Sequence, residues 1–139
     1  MRRTLLASVS VAAMLFLALA GVAAATDVKV TLSGSDEVPA VTTSASGSGT
    51  ITVGDDMSVK GSVTTTGIAG TAAHIHMAGA GKNGPVTVPL TKNGDNAWDV
   101  PAGTKLTDAQ YAAFKAGDLY VNVHSATNKG GEIRGQLVP

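Results

Sequence analysis

From residue 26 onward the chain alternates apolar and polar residues two by two. Val28, Val30 and Leu32 fall on one side of an extended segment, with Lys29 and Thr31 on the other. Period two is the signature of a strand with one face on a core. Similar short runs recur at residues 49–53, 58–65, 72–77, 86–90, 119–125 and 132–138, so seven or eight strands are expected. The pairs Asn83-Gly84, Asn93-Gly94 and Gly130-Gly131 separate several of them. Such pairs adopt the positive φ angles of tight hairpins, which makes the sheet mainly antiparallel. The Ser, Thr and Gly of residues 42–49 read as a flexible loop or a weak edge strand. The fold class that follows is all-β: an antiparallel immunoglobulin-like sandwich or small barrel with one short helix.

That helix is predicted over residues 107–116. Thr107 and Gln110 have the spacing of a capping box, Tyr111 and Phe114 share a face, and Gly117 supplies a left-handed stop. Trp98 and Tyr120 are the only other aromatics beyond residue 25, so the two rings of the helix are expected to pack on the core and close one end of the domain.

The first 25 residues follow a different pattern. Arg2 and Arg3 precede an uncharged apolar run from Leu5 to Ala20, and the segment ends Ala23-Ala24-Ala25. This arrangement predicts a secretory signal peptide over residues 1–25, cut after Ala25, with one β domain over residues 26–139. The apolar run falls short of the ~20 residues needed to span a bilayer, so no membrane span is expected after cleavage. A secreted, periplasmic or cell-envelope protein is implied. Either the general or the twin-arginine route would accommodate the Arg pair.

Composition narrows the chemistry. With no cysteine there is no disulfide, thiol nucleophile or thiolate metal site. The formal charge is zero, or −2 once Arg2 and Arg3 leave with the leader, and no basic run stands out. Nucleic acid is therefore excluded as a partner. A literal G-x-G-x-x-G at Gly79, Gly81 and Gly84 is followed by Pro85 and a strand-like run rather than a helix. It is not read as a dinucleotide site. No G-x-S-x-G elbow is present, and Ser125 points away from its neighbour His124 if both lie in a strand.

The three histidines carry the most specific signal. His74 and His76 are two apart, so in a strand their rings share one face with Cα atoms ~6–7 Å apart. Tyr120, Asn122 and His124 likewise share one face of a second strand. If the two strands are neighbours, three imidazoles converge, and that donor set suits copper or zinc. Asn122, Tyr120 and Glu132 are candidates for a fourth ligand or a supporting contact, although Glu132 and Arg134 can equally form an ion pair. The alternative is three solvated surface histidines.

The segments Leu32-x-Gly34-x-x-Glu37-Val38-Pro39, Ala73-His74-Ile75-His76, Asn83-Gly84-Pro85-Val86-x-Val88-Pro89-Leu90, Leu119 to His124 and Gly131-Glu132-Ile133-Arg134-Gly135-Gln136 occur in this order along the chain. Together they resemble the chordin-like (CHRD) domain family. That resemblance implies an extracellular β-barrel or sandwich and places His74, His76, His124, Glu37, Asn122, Glu132 and Arg134 at motif positions. Ala40 and Lys129 stand where the family often has proline.

Three functions compete at this level. The first is an exported, non-catalytic CHRD module with a Cu or Zn site at His74, His76 and His124. The second is an extracellular protein-interaction domain without metal, using loops such as residues 78–85 or 125–131. The third, a superoxide-dismutase-like metalloenzyme, is disfavoured by the missing cysteines and by too few histidines for a bridged pair of metals.

Overall fold

The computed structural model describes residues 24–139. Nine strands form one sheet: β1 (Ala25–Ser33), β2 (Ser46–Gly54), β3 (Val59–Thr66), β4 (Gly70–Met77), β5 (Val86–Pro89), β6 (Thr91–Lys92), β7 (Ala97–Asp99), β8 (Leu119–Ser125) and β9 (Ile133–Leu137). Their order is β5-β4-β8-β9-β1-β2-β3-β7-β6, and every pairing is antiparallel. The first and last strands of this order are consecutive pieces of one segment, separated by Leu90. β5 pairs with β4 and β6 pairs with β7, so residues 86–92 bring the two edges of the sheet together. Lys92 reaches across to the Gly70 carbonyl (3.0 Å), and the Leu90 N–H donates to Ala73 (3.0 Å). The architecture is thus a barrel rather than two separate sheets, and closure removes the unpaired edges that invite aggregation.

The alternation read from the sequence sets what lies inside. Val28, Val30 and Leu32 of β1, Ile51 and Val53 of β2, Ala73 and Ile75 of β4, and Leu119, Val121 and Val123 of β8 are buried together. Burial of apolar area on this scale is the main stabilising force. One helix, α1 (Asp108–Lys115), closes the barrel with Phe114 fully buried and Tyr111 packed at the margin. It starts as expected. The Gln110 N–H donates to Thr107 Oγ1 (3.2 Å) and the Thr107 N–H to Gln110 Oε1 (3.0 Å), and Gly117 ends the turn at φ +78°.

Two expectations are corrected. Asn83 and Gly84 do not take the positive φ of a tight hairpin; the turn falls earlier, at Gly81 (φ +79°), closed by the Lys82 N–H on the Gly79 carbonyl (3.1 Å). Ser46 to Gly49, expected in a loop or weak edge strand, opens β2, which pairs along its length with β1 and β3. A Cβ at Gly49 would run into the Ser62 carbonyl and Val63, so glycine here permits close strand approach rather than marking a turn. The hairpin at Asn93-Gly94 joins β6 and β7, which are too short to show a period. The expected leader lies outside the described residues except for its last two, Ala24 and Ala25. Ala25 pairs with Gly54, and the Ala24 carbonyl accepts from Asp55 (2.8 Å). No helix among the described residues is long and apolar enough to cross a membrane.

Candidate functional site

Strands β4 and β8 are neighbours, as a converging site requires. His74 lies opposite Asn122, His76 opposite Tyr120 and Ala72 opposite His124. The core takes the residues between them, so the three imidazoles stand on the outer face. Ring centroids are 5.4 Å apart for His74–His76, 4.8 Å for His74–His124 and 6.0 Å for His76–His124. One nitrogen from each ring can be chosen so that all three lie within 4.8 Å of one another. Tetrahedral binding at 2.0–2.1 Å asks for nitrogens about 3.3 Å apart, so the rings would have to draw together to hold an ion.

Backbone carbonyls decide which nitrogens are available. His76 Nδ1 faces the Gly84 carbonyl (3.0 Å), and His124 Nδ1 faces that of Lys129 (2.8 Å). A carbonyl only accepts, so each Nδ1 carries the proton and each Nε2 presents a lone pair. Metal-bound histidines are commonly held in this way by the nitrogen that does not coordinate. His124 Nε2 lies 3.0 Å from His74 Nδ1, which donates to it in the ion-free protein. With its proton on Nε2 instead, His74 would present a lone pair at that same Nδ1 atom. His76 Nε2 is buried with no hydrogen-bond partner.

Electrostatics favour the neutral, ligating form. Burial lowers the pKa of His74 below the usual imidazole value, and His124 and His76 push it the same way. Burial also lowers His76, with His124 and Arg134 adding to the effect and the Gly84 carbonyl and Asn122 opposing it. On the solvent side, a hollow of about 480 Å³ between Thr71, Ala72, Ala126 and Lys129 opens onto His74 and His124.

The rest of this face is roofed. Residues 34–45 and 78–85 lie across β8 and β9, linked by Asn83 donating to the Val38 carbonyl (2.7 Å) and Thr43 to Glu132 (3.2 Å). Arg134, Tyr120 and Asn122 are consequently buried. Tyr120 stacks on His76 at 4.9 Å with planes 2° apart, and the Arg134 guanidinium lies 3.4 Å from the Tyr120 ring centre. Arg134 also donates to the Gly79 carbonyl (3.1 Å), Asn83 (3.4 Å) and Gln136 (3.3 Å). Glu37 is buried nearby with Oε1 unpartnered, and desolvation raises its pKa, against the pull of Asn122, Arg134 and the Val38 N–H.

The Glu132–Arg134 ion pair offered from sequence is replaced by another arrangement. Glu132 accepts from Ser125 (2.9 Å), Asn128 (3.0 Å) and Thr43, and the buried Ser125 faces away from the histidines. The orienting Gly84 and Lys129 carbonyls were not legible as site groups. The glycine-dense run 79–84 was the available signal: a Cβ at Gly84 would run into the Met77 carbonyl, so this loop can pass close over β4.

Fold and site together define a small antiparallel β-barrel with a clustered-histidine face. Its family is also clear: the CHRD domain model matches residues 28–137, from β1 to the end of β9, and the chain belongs to that family. No curated protein and no solved structure matches it.

Proposed function

We propose that this protein is an exported CHRD-domain binding module that holds one Cu(II) or Zn(II) ion with His74, His76 and His124. The observation that carries this reading is the pair of Nδ1-to-carbonyl contacts, which leave the Nε2 atoms of His76 and His124 as lone pairs beside His74. Solvated surface histidines have no need of such anchoring. Export rests on the charged start, apolar core and small-residue end of residues 1–25, and an intact mass of the exported product beginning at Thr26 is the expected result.

Calorimetric titration with each ion tests the site. Wild type should bind one ion, the single alanine variants of His74, His76 and His124 should each bind more weakly, and the triple variant should not bind. Equal heats from wild type and triple variant would make the histidines structural and leave protein recognition by the loops as the function.

A further inference from the structure

The inner end of the histidine cluster contains a second anomaly. Asn122 is opposite His74 on β4 and two residues before His124 on β8, so its side chain rises on the same face among the three rings. It is 2% exposed, and its Oδ1 has no hydrogen-bond partner. Its diagonal neighbour on β4, His76, has a buried, partnerless Nε2. Because His76 Nδ1 already donates to Gly84, that Nε2 is an acceptor too. Asn122 lies within hydrogen-bonding reach of the His76 ring, so two buried acceptors meet with no donor between them. That is unfavourable, and a bound cation is one way to satisfy both.

We infer that Asn122 is a fourth ligand of this site through its side-chain oxygen, an inference that rests on the histidine reading. The amide has a reason to point this way. Its NH2 end is directed to the Gly130 carbonyl (3.4 Å) and to the Glu37 carboxyl. Gly131, at φ +124°, makes room for this: a Cβ there would collide with Glu37 Oε1 and Asn122 Nδ2 together. Glu37 is thus a positioning residue. In its ionised form the Glu37 carboxylate can only accept, and it accepts from the NH2 end, so it turns the oxygen of Asn122 toward the cluster. Three imidazoles and one amide oxygen form a donor set for a divalent ion. Cu(I), which prefers soft sulfur, is discriminated against.

The test is zinc titration of the full chain at neutral pH, with circular dichroism as a fold control. Asn122→Leu keeps the shape and removes the oxygen, and should weaken binding about tenfold or more. Asn122→Asp, combined with Glu37→Gln so that a second carboxylate does not oppose it, supplies a charged oxygen and should tighten binding. A merely structural asparagine would not produce that gain. If Asn122→Leu does not fold, the Asp/Gln pair decides alone. Wild-type affinity in these variants, with binding lost in the triple histidine variant, overturns the role of Asn122 and leaves the histidine site standing. No binding by wild type overturns both.

Discussion

Strands β1–β3 and strands β4, β8 and β9 show the same alternation and use it differently. On β1–β3 the outward residues Lys29, Thr31, Ser48, Thr50, Ser62 and Thr64 are exposed, and the sheet has one dry face and one wet face. On β8 and β9 the outward Tyr120, Asn122 and Arg134 are as buried as the core, because residues 34–45 and 78–85 cover them. Among the described residues, three of the five buried side-chain polar atoms without a partner, on Glu37, His76 and Asn122, belong to this covered region. Period two determines which residues face inward. It does not determine whether the other face meets water, and the unusual chemistry collects where that face is roofed.

The largest effect is expected from removing the charge under the roof. Arg134→Ala leaves the Gly79 carbonyl and Asn83 without their donor and the Glu37 carboxyl without its neighbouring cation. Urea unfolding should register a loss of about 3–5 kcal/mol. Next comes the stabilisation gained from the ion itself. At a free zinc concentration one hundred times Kd, wild type should gain about 2.7 kcal/mol against unfolding. His124→Ala should lose that gain, while Thr50→Ala on the wet face should keep it.

In the metal-free protein, acid should act on the histidine face of β4 first. His74 and His76 have folded pKa values below the ordinary 6.5, so the unfolded chain binds more protons just below that pH. Stability from these rings is complete above pH 6.5 and is lost as pH falls toward their lowered values. Glu37 acts with the opposite sign. Its folded pKa is raised, so its contribution is present below about 4.5 and disappears as pH rises through the raised value. A His76→Gln variant should show a shallower loss between neutral pH and 5 in unfolding curves than wild type. An unchanged slope would place the ring in solvent.

Smaller effects complete the contrast. Ser125→Ala removes the buried hydrogen bond to Glu132 and the one accepted from the Asn128 N–H, and should cost about 2 kcal/mol without altering ion affinity. Thr50→Ala should fall within about 0.5 kcal/mol of wild type, as an open strand face allows.

What could be read in advance follows from the same division. Core residues such as Val28, Ile75 and Val121, the capped helix, and the shared face of His74, His76 and His124 depend on local periodicity, and they are where the sequence placed them. The first residues of β2 were concealed because Gly47 and Gly49, which resemble turn residues, serve close packing against β3. The partners of Glu132, the stacking of Arg134 on Tyr120 and the carbonyls behind His76 and His124 depend on segments distant along the chain. Spacing within a strand contains no record of which loop will lie over it. For that reason the histidine cluster was legible in the sequence and the groups that orient its rings were not.

The most direct measurement is X-ray absorption at the metal edge of the zinc- or copper-loaded protein. The expected spectrum carries the scattering signature of three imidazoles with nitrogens at about 2.0 Å, reduced in number by each single histidine substitution. A loaded ion surrounded only by oxygen ligands, with a spectrum unchanged in the triple alanine variant, would contradict it.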